Sequence, residues 1–151
     1  MKIEKAISMD SQRIYEIHTT AVRMRDKDFY TEEQVDAQLK NKTPQGYIPA
    51  IERGEMFVAK RENEILGFGH AIPGEVVAVF VDPKQWKQGA GKVLLKEGIR
   101  LARSSKSKTI IVEASLNAVP FYQKYGFEEK EKTNILRNGV EIPIIILELK
   151  K

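Results

Sequence analysis

The sequence contains no cysteine, which excludes disulfide bonds, thiolate metal sites and thiol nucleophiles within the chain. Histidine is almost as scarce, and His18 has no second histidine, aspartate or glutamate at metal-ligand spacing, so no metal site is predicted. No stretch approaches the roughly 20 apolar residues of a membrane span, and the opening stretch MKIEKAISMD has no long apolar core. We therefore expect a cytoplasmic protein without membrane contact.

The composition is that of an ordinary globular protein. Of the 151 residues, 42% are hydrophobic and 30% are charged, and we find no internal repeat, low-complexity tract or Pro/Gly/Ser-rich linker. One domain is expected over residues 1–151. The net charge of +4 favours anionic ligands, but the 25 basic and 21 acidic residues are interspersed, so nucleic acid is not indicated as a partner.

The stretch from Val76 to Leu95 predicts a strand, a turn and a helix, with the sequence VVAVFVDPKQWKQGAGKVLL. Its first six residues are apolar and mostly β-branched, which indicates a strand buried on both faces. Apolar residues at helical spacing follow from Gly89 or Gly91 onward. The unpaired N–H groups of that helix start are expected in a glycine turn beside Lys87 and Lys92, where they suit a phosphate or pyrophosphate.

The residues before this stretch predict a short strand at 2–6 and two helices. The first helix is capped by Asp10 or Ser11, and the second, at 31–41, begins with a capping box from Thr31. The buried face of the first helix is predicted to contain Ile14, Ile17, Ala21 and Met24.

Residues 43–55 indicate a long irregular connection, because their proline and glycine spacing does not fit a regular element. Tyr47 and Ile48 in this connection are available to line a pocket. His18 lies at the margin of the first helix's apolar face, where a packed or surface histidine is commoner than a catalytic one. His70 is expected near the site, on a strand face beside apolar neighbours.

Several strands surround the central one in this prediction. Residues 56–60 and 65–72 form a hairpin that leads into it, and residues 109–112 return parallel to it after a helical crossover. Gly67 and Gly69 indicate a bulge or the close approach of another backbone. A final hairpin turns at Asn138-Gly139, and its apolar last strand is explained equally by burial in its own sheet or by a partner subunit, so a homodimer stays open.

Two stretches together resemble the acyl-CoA-binding signature of the GCN5-related N-acetyltransferases (GNAT): VFVDPKQWKQGAGKVLL and, further on, ASLNAVPFYQKYGFEE. The first resembles V-x-P followed by Q/R-x-x-G-x-G/A, and the second resembles N-x-x-x-x-[YF]-x-K-x-G-F. The order of predicted elements fits this family over essentially the whole chain. One position departs from the pattern, because Trp86 stands where arginine or glutamine is usual. The matching positions are Val81, Pro83, Gly89, Gly91, Asn117, Tyr122, Lys124, Gly126 and Phe127.

The resemblance implies an α/β (α+β) fold, namely the three-layer α/β/α acyl-CoA N-acyltransferase fold. Its mixed, mostly antiparallel sheet has one parallel strand pair that splays to admit CoA. Acetyl-CoA is the implied cosubstrate, and no metal is implied. The implied cofactor-binding residues are Val79, Phe80 and Val81 by backbone pairing with pantetheine, and Lys87, Gln88, Gly89, Ala90, Gly91 and Lys92 by amides that hold the pyrophosphate. Asn117 is implied to form a hydrogen bond with the pantetheine region, Tyr122 to lie at the leaving thiolate, and Lys124 to lie near the 3′-phosphate.

The implied reaction is direct transfer of acetyl to a primary amine of a small molecule or protein, within a ternary complex. Glu75 is the nearest carboxylate for deprotonating the amine, although a surface charge at a strand end explains it too. A backbone N–H of Phe80 or Val81 would stabilise the oxyanion. Tyr122 occupies the position of the family's usual general acid, and a purely structural core tyrosine is its alternative role.

Two other functions are compatible with parts of the sequence. A non-catalytic acyl-CoA-binding or interaction module would keep the fold without the chemistry, an alternative motivated by Trp86 and by the uncertain base. A nucleic-acid-binding domain has only the net positive charge in its favour. The identity of the acceptor amine has no signature in the sequence.

Overall fold

Seven strands and five helices make up the computed structural model, which describes all 151 residues. The strands are β1 (Lys2–Lys5), β2 (Met56–Arg61), β3 (Glu64–Ile72), β4 (Glu75–Val81), β5 (Thr109–Ser115), β6 (Glu128–Arg137) and β7 (Val140–Lys150). The helices are α1 (Ser11–Asp26), α2 (Glu32–Leu39), α3 (Ile48–Glu52), α4 (Ala90–Ala102) and α5 (Val119–Lys124). None of these helices has the length and apolar character needed to cross a membrane.

All seven strands form one sheet in the order β1-β2-β3-β4-β5-β7-β6. Every neighbouring pair is antiparallel except β4 and β5, which are parallel and joined by the α4 crossover. Only Glu75 and Ile111 are paired between those two strands, and Ile111 N donates to Gly74 O at 3.0 Å at the same end. The strands diverge beyond this point and leave their facing edges without strand partners. The predicted mixed sheet with one splayed parallel pair is therefore confirmed.

Helices cover both faces of the sheet. On one face, α4 buries Leu94 and Leu95 in a cluster with Val76 and Val79 of β4. On the other face, α1 packs Ile14 and other residues against β2 and β3, and α2 packs against β7. The result is the three-layer arrangement that the sequence predicts, with apolar clusters between the layers.

A bulge interrupts β4 beside the diverging edge. His70 pairs with Ala78 and Ala71 pairs with Val76, so Val77 is an extra residue without a partner on β3. The prediction that this strand is buried on both faces is wrong here, because Val77 is 36% exposed. Its apolar side chain lines a cavity instead of a packed layer. An apolar run cannot distinguish these two environments.

Two further predictions need correction. Met24 is 48% exposed, because the last turn of α1 packs through Val22 into the cluster formed with α2 and β7. Residues 43–55 are not irregular, since a 3-10 turn at Pro44–Tyr47 leads into α3. Proline in the first turn of a helix needs no hydrogen-bond partner for its missing N–H, which explains how α3 forms in a proline-containing segment.

The β6–β7 hairpin forms as predicted, with positive φ angles of 50° at Asn138 and 82° at Gly139. The apolar last strand, β7, lies between β5 and β6 in the interior of the sheet. Burial within its own sheet therefore accounts for its apolar sequence. Gly67 likewise has a structural reason, because a Cβ there would lie 2.6 Å from the Phe80 carbonyl oxygen.

Candidate active site

Two cavities meet where β4 and β5 diverge. The first, which we call the basic cavity, has a volume of about 640 Å³ and lies beside the glycine turn before α4. The second, which we call the inner cavity, has a volume of about 350 Å³ and lies on the α1 and α2 side of the sheet. Both are lined by Arg25, Val79, Ala118 and Tyr122. A molecule in one cavity can therefore meet a molecule in the other at these four residues.

The basic cavity has a strongly one-sided charge. Four of its sixteen lining residues are basic and none is acidic. An anionic ligand of considerable size is the natural complement of such a lining. The lining residues are Arg25, Val79, Val81, Gln85, Trp86, Lys87, Gly89, Ala90, Gly91, Lys92, Asn117, Ala118, Phe121, Tyr122, Lys124 and Tyr125.

The turn before α4 adds a row of free backbone donors to this cavity. The N–H groups of the six residues from Lys87 to Lys92 make no hydrogen bond within the protein. Lys87 has φ 67° and Gly89 has φ 89°, both in the left-handed region, so the chain curls before the helix begins at Ala90. Successive amides in such a turn form a concave anion site, which the positive end of the α4 dipole reinforces. The structure thus fits a pyrophosphate here.

The backbone of β4 presents alternate peptide groups to its two neighbours. Asp82 N donates to Leu66 O at 2.8 Å, and two residues earlier Phe80 is paired with Phe68, so antiparallel alternation directs the Phe80 N–H toward β3. The Phe80 N–H is one of the two oxyanion donors predicted, and that prediction is therefore wrong. Alternation directs the peptide groups of Val79 and Val81 toward β5, where no strand pairs with them.

Trp86 lies at the edge of the same surface. Its indole Nε1 donates to the Val81 carbonyl oxygen at 3.2 Å, and its side chain is 37% exposed in the lining of the basic cavity. The residue that departs from the family pattern thus ties the turn to the end of β4. One carbonyl of the diverging edge already accepts this hydrogen bond, whereas the Val81 N–H stays free.

Tyr122 stands at the junction of the two cavities. Its ring is packed edge to face against Phe121 and Phe127, and only 5% of the residue is exposed. No side chain or backbone group of the protein forms a hydrogen bond with its hydroxyl. Burial raises the pKa of Tyr122 to about 12, against the lowering effect of the Arg25 charge. The hydroxyl is therefore protonated at neutral pH and available to a bound molecule.

A buried network, which the sequence does not reveal, supports this junction from α1. With its amide oriented by its neighbours, Asn117 donates to Asp26 Oδ1 at 2.8 Å and to Ser115 Oγ at 3.1 Å, and it accepts from Arg25 Nε at 2.8 Å. The Arg25 guanidinium also lies 4.9 Å from the centroid of the Phe80 ring. Asn117 thus has one oxygen lone pair left for a ligand. Arg25 lines both cavities.

Asp26 is buried, although aspartates at the ends of helices are usually exposed. Burial raises its pKa, while Arg25 and the nearby Gln38 lower it. A charged pair at the end of an amphipathic helix usually faces solvent. Arg25 and Asp26 instead form hydrogen bonds with Asn117, which is distant in the sequence. No sequence signal identifies Arg25 or Asp26 as site residues.

Carboxylates line the sheet wall of the inner cavity. Burial raises the pKa of Glu75, and the charge of Glu113 raises it further. Both residues line this cavity, on the two strands that diverge. His70 also lines it, and its Nε2 lies 2.9 Å from Glu55 Oε1. Glu75 is therefore a carboxylate that binds a proton more tightly than an exposed glutamate does.

Aromatic side chains form another wall of the inner cavity. His18 Nδ1 lies 2.7 Å from the Tyr47 hydroxyl, and its ring lies 4.5 Å from the Phe80 ring. Burial, together with the charges of Lys42 and Arg25, lowers the pKa of His18 to about 3, so it is neutral at physiological pH. Tyr47 lines the cavity as expected, whereas Ile48 does not.

Ten of the twelve predicted cofactor-binding residues line the basic cavity. The exceptions are Phe80, whose side chain lines the inner cavity, and Gln88, whose side chain accepts from Arg61 Nη1 at 2.6 Å. The Gln88 backbone N–H is nevertheless one of the six free amides. Of the two predicted catalytic residues, Glu75 lines only the inner cavity and Tyr122 lines both.

Comparison with known proteins gives consistent results. A family model described as the acetyltransferase (GNAT) domain matches residues 16–143. The chain is 27% identical over 130 residues to the uncharacterized N-acetyltransferase YafP of Escherichia coli (strain K12), which covers 86% of this chain and 83% of that protein. Its fold matches a GCN5-related N-acetyltransferase from Rhodopseudomonas palustris with a TM-score of 0.91 at 20% identity, over 99% of this chain and 95% of that one. PaiA N-acetyltransferase from Thermoplasma acidophilum, solved in complex with coenzyme A, matches with a TM-score of 0.79 at 20% identity, over 99% and 98%.

Proposed function

The chain belongs to the GNAT acetyltransferase family, and on that premise we propose that it moves the acetyl group of acetyl-CoA directly to a primary amine. The observation that carries the proposal is the junction of the two cavities at Tyr122 and Val79. One cavity suits a large anion and the other contains a carboxylate with a raised pKa. A thioester and an amine would meet at the junction.

The basic cavity would hold the CoA portion. The six free amides from Lys87 to Lys92 would bind the pyrophosphate, and Lys124 would bind the 3′-phosphate. The Val79 carbonyl and the Val81 N–H would pair with the pantetheine amides as a neighbouring strand does. The Val81 carbonyl already binds Trp86, so we assign the pantetheine pairing to the remaining groups.

Acetyl-CoA supplies the activated acetyl thioester, and residues of the two cavities perform the other tasks. Glu75 would accept the proton of the incoming ammonium, directly or through water, since its raised pKa brings it closer to that of a useful base. The N–H of Val79, which lines both cavities, would donate to the carbonyl oxygen as negative charge develops on it. The bond from sulfur to carbonyl carbon breaks as the bond to nitrogen forms.

Tyr122 would assist the departing sulfur. A free thiol has a pKa of about 8.5, so a tyrosine whose pKa is about 12 is the weaker acid. We therefore assign to its hydroxyl a hydrogen bond that stabilises the thiolate, with water completing the protonation. This hydrogen bond acts only as negative charge develops on sulfur, which is how a catalytic interaction lowers a barrier.

The acceptor as a primary amine and the cytoplasmic location are parts of the same proposal. Calorimetry with acetyl-CoA and a thiol-release assay with a library of amines test it. We expect saturable binding of acetyl-CoA and release of CoA with at least one amine. Binding without release from any amine would identify the non-catalytic module, and no binding at millimolar acetyl-CoA would contradict the whole proposal.

A further inference from the structure

The inner cavity contains cationic and polar donors for which the protein provides no acceptor. Lys42, which follows α2, and Arg137, the last residue of β6, both line it. Neither forms an ion pair with any carboxylate of the chain. Gln38 lines the same cavity beside Asp26, and its buried Nε2 has no partner at hydrogen-bond distance in the protein. A buried donor rarely lacks a partner in a folded protein, whereas Lys42 and Arg137 are exposed and free to bind a ligand.

The two cations are exposed at the cavity and lie close enough for their charges to interact. Partial desolvation lowers the pKa of Lys42, and the charge of Arg137 lowers it further, with no carboxylate to oppose these effects. The charge of Lys42 in turn contributes to the low pKa of the buried His18. Two cations that repel each other beside a cavity are stabilised when an anion binds between them.

The acids of the same cavity lie elsewhere and leave this cationic wall uncompensated. Glu75 and Glu113 belong to strands β4 and β5, at the sheet wall of the cavity. Asp26 already accepts from Asn117. The inner cavity is therefore acidic at its sheet wall and basic at the wall formed by the end of α2 and the β6–β7 hairpin.

We propose that the acceptor is a small amine that also carries an oxyanion, either a carboxylate or a phosphate, and that Lys42 and Arg137 bind this group. The proposal rests on the acetyltransferase function argued above and specifies its substrate class. The amine would lie by Glu75 and the oxyanion by the two cations, with Gln38 as a further donor. A cavity of about 350 Å³ is of the size that small-molecule ligands occupy.

Matched substrates provide the test. Thiol release from acetyl-CoA is measured with ω-amino carboxylates and ω-aminoalkyl phosphates of increasing chain length, and with the corresponding carboxamides and alkylamines. The variants are Lys42→Gln and Arg137→Gln, with Lys40→Gln as the control, because Lys40 is an exposed lysine of the same segment that does not line the inner cavity. Acetyl-CoA binding is measured for each variant, so that a loss of cosubstrate affinity is recognised.

We expect the anionic amines to have the higher kcat/KM, and we expect each of the two variants to lower it for them by about 10-fold or more, chiefly through KM. The neutral amines and the Lys40→Gln control should be unaffected. The loss of kcat/KM is compared between amino carboxylates and aminoalkyl phosphates, and the class with the larger loss identifies the oxyanion. Turnover of neutral amines in preference to anionic ones, or equal losses for both classes, would overturn this proposal but leave the acetyltransferase function standing. If neither the anionic nor the neutral amines cause thiol release, both this proposal and the acetyltransferase function are overturned.

Discussion

Trp86 Nε1 donates a 3.2 Å hydrogen bond to the carbonyl oxygen of Val81, and this bond joins the pyrophosphate turn to the strand that would position the thioester. The two parts of the proposed CoA site are thus connected by the residue that departs from the family pattern. Arginine or glutamine at this position would extend toward the ligand, whereas the tryptophan binds its own backbone. We interpret Trp86 as a support of the turn.

The variant Trp86→Phe tests that interpretation, because it keeps an aromatic ring and removes the N–H. Loss of one hydrogen bond is worth about 1 kcal/mol, so the free energy of unfolding should fall by no more than this amount. CoA affinity should fall by up to about fivefold, because the turn must then be ordered when CoA binds. Calorimetry with CoA measures the affinity, and circular dichroism measures the unfolding temperature. An unchanged or improved CoA affinity would contradict a supporting role.

A pair of glycine variants separates backbone strain from ligand binding. Gly89 and Gly139 have φ angles of 89° and 82°, and a Cβ at either position would meet no atom within 4 Å. Alanine in this conformation costs about 1–2 kcal/mol, so Gly89→Ala and Gly139→Ala should lose similar free energy of unfolding. Only Gly89→Ala should also weaken CoA binding, since Gly89 belongs to the row of free amides. Equal CoA affinity in the two variants would argue against the amide turn as the pyrophosphate site.

The variant Tyr122→Phe removes the hydroxyl at the cavity junction and keeps the packing of the ring. Its kcat should fall by about 100-fold while its CoA affinity stays the same, because the hydrogen bond forms only as the sulfur departs. Tyr15→Phe removes a hydroxyl outside both cavities and serves as the control. An unchanged kcat would show that Tyr122 has a packing role alone.

The proximity of Glu113 to Glu75 predicts a shift in the pH dependence of activity. A base acts in its ionised form, so kcat/KM should rise with pH through a pKa above the ordinary glutamate value of 4.5. Burial is the larger cause of that raised pKa and Glu113 the smaller one, so Glu113→Gln should move the acidic limb partway to lower pH. Initial rates between pH 4 and 8 measure the limb, in about half-unit steps.

Two comparisons decide whether that limb belongs to Glu75. Glu131→Gln, an exposed carboxylate of β6 outside both cavities, should leave the profile unchanged. Glu75→Gln should abolish the limb and most of the activity. A limb that persists in Glu75→Gln would assign the base to another group.

Features that depend on local chain geometry could be predicted from the sequence. The turn at Asn138-Gly139 and the glycine turn before α4 both form, because glycine and asparagine tolerate positive φ and their neighbours fix the element types. Two short motifs were enough to predict that Tyr122 and the glycine turn lie close together, and both line the basic cavity.

Features that depend on contacts between distant segments could not be predicted. In the sequence, Arg25 and Asp26 look like ordinary charges at the end of a helix. Only the structure shows that both form hydrogen bonds with Asn117. The exposure of Val77 follows from a bulge and a cavity, neither of which an apolar run reveals. Lys42 and Arg137 are far apart in the chain, and only the fold brings them to one wall of the inner cavity.

The central claim is direct acetyl transfer where the two cavities meet, and initial-rate kinetics with acetyl-CoA and an accepted amine both varied tests it most directly. Because both molecules must be bound at once at Tyr122, double-reciprocal plots should intersect, and CoA should be released in equal amount to the N-acetylated amine. Parallel lines, or release of CoA at the same rate without any amine, would contradict the account.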